Sequence, residues 1–128
     1  MQIGVISDTH GLVRGEAVAA LHGSDLILHA GDVGTCDVLE TLAEIAPVFA
    51  VRGNIDLDDW AAKLPETRSI SSAGRQFHLR HDIAGLDSDP VAKGCDAVIF
   101  GHSHKPLIEN RSGVLYLNPG SAGPRRFK

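Results

Sequence analysis

Two imidazoles one residue apart, in Gly101-His102-Ser103-His104, follow Asp96-Ala97-Val98-Ile99-Phe100, an apolar run that predicts a buried strand. A His-x-His pair leaving a strand end can hold a metal ion if further ligands converge on it. The chain offers such ligands beyond other predicted strands: Asp8-Thr9-His10, Gly31-Asp32, Gly53-Asn54 and His81. The inventory is then two carboxylates, one amide oxygen and four imidazoles, with no thiolate. That mixed nitrogen and oxygen set suits manganese, iron, zinc, cobalt or nickel better than magnesium or calcium, which prefer oxygen alone. Seven ligands exceed the needs of one tetrahedral ion and suit two ions sharing a carboxylate. Singly, each residue has a plainer reading. Asp8-Thr9-His10 can be a solvated loop, Asp32 a cap or turn residue, Asn54 a turn amide and His81 a surface group.

The elements that must position these residues follow from periodicity. Strands are predicted over residues 2–7, 26–29 and 48–51. Helices lie between them, over 16–21 and from Thr35, a candidate cap, through Leu39, Leu42 and Ile45. Strand, loop and helix repeated this way predict a largely parallel sheet. The second half changes character, with hairpins over 67–79 and 106–117 around the strand over 96–100. Residues 83–90 read as a loop with at most a small helical turn. An α/β start followed by hairpins predicts a sandwich of two mixed β-sheets flanked by helices, in one domain over 1–128. Every candidate ligand then sits beyond a strand end, where open α/β folds build their sites. Gly101 is expected to allow a tight turn before the His pair.

With 128 residues, 43% hydrophobic content and a net charge of −4, the chain has the profile of a soluble globular protein. Net acidity argues against a general surface for long nucleic acid. The first loop, Ser7-Asp8-Thr9-His10-Gly11, lacks G-x-G-x-x-G and sets an acid where a dinucleotide pyrophosphate would bind. Cys36 and Cys95 form no metal motif and read as reduced thiols. No leader pattern or membrane-length apolar run stands out, so the cytoplasm is the expected location.

The ordered set DTH, AGD, GN, a lone His and GHSH resembles the calcineurin-like metallophosphoesterase superfamily, across essentially the whole chain. It is most similar to the small bacterial and archaeal phosphodiesterase branch, which shares its fold with a retromer subunit. Leu115-Tyr116-Leu117-Asn118-Pro119-Gly120-Ser121 and Gly123-Pro124-Arg125-Arg126 extend the likeness. The resemblance implies a dinuclear phosphoesterase in which Asp8, His10, Asp32 and His104 bind one ion. Asn54, His81 and His102 would bind the second, with Asp32 bridging. Manganese is the first expectation. The implied reaction is attack on a small phosphodiester by a hydroxide shared between the ions. A phosphomonoesterase, or an interaction module retaining the fold, are the alternatives. Asp32, Asn54, His81 and Asp56 are the candidates for a direct part in catalysis.

Three departures from the family pattern stand out. Ile55 occupies the place after Gly-Asn where many larger members carry a His that protonates the leaving group. Such an acid is worth roughly 10²–10⁴-fold. Arg80-His81-Asp82 stands where most members have Gly before the lone His; His78 is the competing match. Family members generally continue beyond this point, so the stop at Lys128 implies either a compact protein with a shortened C-terminal part or an incomplete chain, and an uncovered sheet edge there would let copies associate. Outside the ligand set, His29 is expected to hydrogen-bond beneath the site, and Asn118 and Ser121 to brace its loops.

Overall fold

The computed structural model describes residues 2–57, 59–72, 74–83 and 94–121. The first half alternates β1 (Ile3–Ile6), α1 (Gly15–Leu21), β2 (Leu26–His29), α2 (Cys36–Ala43) and β3 (Val48–Ala50). A 3₁₀ turn, Ala61–Lys63, leads to β4 (Thr67–Ser72), β5 (Arg75–Arg80), β6 (Ala97–Ile99), β7 (Leu107–Arg111) and β8 (Val114–Asn118). β1, β2 and β3 form one sheet in that order, and all its pairs are parallel. The second sheet runs β4-β5-β6-β8-β7. It mixes antiparallel hairpins at both sides with a parallel centre of β5, β6 and β8. This is the expected α/β sandwich.

Strand alternation explains the layers, because successive side chains leave opposite faces. Leu26 and Leu28 point between the sheets, where they meet Ile70, Leu79, Ala97 and Ile99. Ile27, on the other face of β2, packs with Ile6, Leu21, Val38 and Leu42, so α1 and α2 cover that side. Val98, Phe100, Val114 and Tyr116 form a third cluster on the outer face of the second sheet. Full burial of one such aliphatic side chain contributes about 1.5–3 kcal/mol. The central strands are therefore held firmly, and so are the points where their loops begin.

Several local expectations change. Thr35 is the extended residue before α2, but its side chain makes no capping hydrogen bond. Its carbonyl instead accepts the Val38 amide at 3.2 Å, closing the first turn through the backbone. The hairpin expected over 106–117 turns on Ser112 and Gly113, both at positive φ (54° and 85°), so β7 runs up to Arg111. A two-residue turn with both φ positive matches the twist of its strands. β7 ends the second sheet, and Ile108 on it is 77% exposed. Most of the loop expected over 83–90, and the Arg125-Arg126 tail, lie outside the described residues.

Candidate metal centre

Parallel strands deliver their carboxyl ends to one side. Asp8 and His10 follow β1, Asp32 follows β2, and Asn54 follows β3. His81 follows β5, while His102 and His104 follow β6. Ligand atoms of Asp8, His10, Asp32 and His104 all lie within 4.8 Å of one another. His104 Nε2 is 3.4 Å from Asp8 Oδ1, and His10 Nε2 is 3.7 Å from Asp32 Oδ2. His81 Nε2 approaches the same Asp32 oxygen, 3.2 Å away, and lies 3.9 Å from Asp8 Oδ1. The His81 and His102 rings meet edge to face at 5.2 Å, and the Asn54 amide stands 3.4 Å from His102 Nδ1. Asp8, His10, Asp32, His81 and His104 therefore meet at one place, while Asn54 and His102 stand against each other beside His81, with His102 Nε2 3.9 Å from Asp82 Oδ2.

The loop backbones are bent to achieve this. Asp8, His10, Asp32, His102 and His104 have φ between 51° and 74°, in the left-handed region that side chains with a Cβ rarely adopt. Ser112 is the only other such non-glycine among the described residues. Each such residue costs on the order of 1–3 kcal/mol, and strain of this kind clusters at functional sites.

Asp8 is fully buried. Its Oδ2 accepts from Ser7 Oγ at 2.6 Å and from the His102 amide at 3.1 Å, while Oδ1 has no hydrogen-bond partner. His10 Nε2 and His81 Nε2 are also buried without one. Such groups cost about 1–3 kcal/mol each if left unmet. Three orphaned atoms facing one space are what a cation would satisfy, and the donor types fit a divalent transition metal. His81 Nδ1 donates to the Ala30 carbonyl at 2.8 Å, which leaves the Nε2 lone pair to face the carboxylates.

Electrostatics agree. Burial works to raise the Asp32 carboxyl, but the adjacent His81 ring, the Ile55 amide and His10 outweigh it and bring its pKa down to about 2. Burial works to lower His81, yet Asp32, the Ala30 carbonyl and Asp8 raise its pKa above the ordinary imidazole value. The centre is thus a carboxylate floor that draws positive charge.

Beneath it, His29 joins the first two loops. The Gly31 amide donates to His29 Nδ1 at 3.1 Å, so Nε2 bears the proton and donates to Thr9 Oγ1 at 3.0 Å. Thr9 in turn donates to the Val33 carbonyl at 2.8 Å. This directed chain has no room for a second imidazole proton. Burial lowers the His29 pKa from 6.5 to about 4. The unfolded chain therefore takes up this proton first as pH falls. The contribution is complete above pH 6.5 and drains away down to about pH 4. At 1.36 kcal/mol per unit it amounts to about 3 kcal/mol. Denaturant unfolding of the metal-free protein at pH 7 and pH 4.5 is expected to show this fall, and His29→Gln to flatten it.

Asn118 braces the same end, donating to the Gly101 carbonyl and to Ser103 Oγ, while Ser121 Oγ donates to the Asp8 carbonyl. Asp56 is buried, and its carboxylate accepts the amides of Val33, Gly34 and Gly53 at 2.9–3.1 Å. Gly101 is not at positive φ. Its need is close approach, since an added Cβ would press on Ser7 Oγ and Asp8 Oδ2. Sequence reasoning missed the roles of Ser7 and Thr9. Both flank Asp8, and a Ser-Asp-Thr run at a strand end was the available signal.

A sandwich with this centre at its strand ends defines a metal-dependent phosphoesterase. All 128 residues match the calcineurin-like phosphoesterase superfamily domain, and the chain belongs to that family. It is 35% identical over 133 residues to a probable metallophosphoesterase of Methanothermobacter thermautotrophicus, covering 94% of this chain and 77% of that one. It is 30% identical over 145 residues to the phosphodiesterase YfcE of Escherichia coli, covering 94% and 79%. Its fold matches that of wild-type Vps29 complexed with zinc from Entamoeba histolytica, with a TM-score of 0.80 at 24% identity, over 97% and 78% of the two chains. No helix among the described residues is long and apolar enough to cross a membrane.

Proposed function

We propose that the chain hydrolyses phosphate diesters with two divalent ions, manganese first and nickel, iron, cobalt or zinc as substitutes. Asp8, His10, Asp32 and His104 would hold one ion. Asn54, His81 and His102 would hold the other together with Asp32. The observation behind this reading is the convergence of four ligand atoms within 4.8 Å, beside three buried polar atoms that lack partners. When bound, the ions supply Lewis acidity and lower the pKa of water. The chain's own residues do the rest. Asp8 and Asp32 lie buried at the floor, whereas Asn54 and His102 are exposed, so a phosphate ester arrives on their side. Ile55, 45% exposed beside Asn54, has no proton to give a departing alkoxide. That favours esters whose leaving group departs unaided. Asp56 has both oxygens engaged by backbone amides, which supports a positioning role tying the Asp32 loop to the Asn54 loop. A phosphodiesterase among the relatives supports the diester preference. Cys36 and Cys95, unpaired, suit a reducing cytoplasm.

The test is elemental analysis alongside turnover of an activated aryl diester and its monoester. About two equivalents of metal are expected. The diester should be the faster substrate, and activity should fall below about 1% on chelation and return with manganese. A chain that binds no metal at millimolar concentration sinks the reading. A faster monoester would make it a phosphomonoesterase.

A further inference from the structure

Beside Asn54 and His81 opens a cavity of about 430 Å³ whose lining also includes Arg52, Arg80, Leu57, Glu66 and Asp82. Its volume suits a ring-sized group. The two guanidiniums differ. Arg52 is neutralised by Glu66, 3.1 Å from its Nη2. Arg80 forms no ion pair among the described residues, and its Nε donates to the Asp82 carbonyl at 2.9 Å. That bond fixes the plane of the guanidinium while leaving its two terminal nitrogens to other partners. The residue is half-buried on the wall, one position from His81. A guanidinium anchored through its Nε, with no ion pair among the described residues, is a receptor for a planar or tetrahedral oxyanion, which it grips with two parallel hydrogen bonds. Leu57, 85% exposed and part of the lining, adds aliphatic surface against which a ring can lie.

We infer that this cavity receives the organic arm of the substrate, and that Arg80 binds an oxyanion carried on that arm. The favoured esters are those whose arm bears a carboxylate or second phosphate about one ring away from the scissile phosphorus. The inference rests on the phosphoesterase reading for the position of the reacting group. Nothing in it requires Arg80 to touch the reacting phosphate, so Arg80 is a specificity residue.

The test measures equilibrium binding of three non-hydrolysable probes to the manganese-loaded full chain by calorimetry: phenylphosphonate, 4-carboxyphenylphosphonate and 1,4-phenylenediphosphonate. At least one doubly anionic probe is expected to bind about tenfold more tightly than phenylphosphonate, and which one does so identifies the oxyanion. Arg80→Gln should erase that advantage, and Arg80→Lys, which keeps the charge but loses the fork, should restore part of it. The comparison within the wild type decides the charge preference by itself, whatever the variants' folding. Equal binding of all three probes, or an advantage that survives in Arg80→Gln, overturns the inference. Turnover of the parent aryl diester in the same preparation reports on the hydrolase reading separately. Turnover without an anionic advantage removes the cavity assignment alone.

Discussion

Asp32→Ala is expected to lower kcat for an activated diester by roughly 10³-fold or more, the largest loss from any single side chain here. The reason lies in how many groups depend on this one carboxylate. Its Oδ2 is 3.2 Å from His81 Nε2 and 3.7 Å from His10 Nε2, and its Oδ1 accepts the Ile55 amide at 3.1 Å. The alanine variant leaves two imidazoles turned toward a gap and frees the turn that carries Asn54. Asp32→Asn separates the two effects, because the amide oxygen keeps the Ile55 bond while the negative charge is lost. If the charge is what counts, both variants lose metal and activity alike, as elemental analysis and initial rates would report. An asparagine variant with near wild-type activity would mean that Asp32 serves only to hold its loop.

A single methyl at Gly101 is expected to do nearly as much from outside the ligand set. Alanine there places its Cβ against Ser7 Oγ and Asp8 Oδ2. Both are buried, and Asp8 Oδ2 is already held by Ser7 and by the His102 amide, so neither can step aside cheaply. Overpacking of this kind costs about 1–3 kcal/mol. A ligand displaced by about 1 Å can cost 10²-fold in rate. Gly101→Ala should therefore bind less metal and turn over roughly 10²-fold more slowly, with a lower Tm. Gly15→Ala is the control, since the added methyl meets nothing within 4 Å at the start of α1. It should be neutral or stabilise by up to about 1 kcal/mol. Equal activity of the two variants would show that the close approach at Gly101 does not govern the centre.

Much of the fold was legible from short apolar runs with turn residues between them. β4 occupies the predicted 67–72 without change, and β2 the predicted 26–29. The first sheet is wholly parallel among the described residues, as alternating strands and helices imply, and the second does the mixing. Thr35 was misread because capping depends on side-chain direction, which residue type does not specify. Gly101 was read as a turn residue for want of any local sign that Ser7 and Asp8 would press against it.

By itself the sequence determined the chemistry on offer: two carboxylates, four imidazoles and an amide, each just beyond a strand. It also determined the layers, since alternation and apolar runs are local properties that burial then enforces. Only the tertiary structure decided which groups face one another. Asp8 and His104 meet across a separation that no local pattern encodes, and His10 and His81 approach one oxygen of Asp32 because two sheets pack with their parallel strand ends on one side. The left-handed backbone at five of the ligands belongs to the same level. Strain of that kind persists only where a well-packed core on both sides of the sheets holds the loop ends in place.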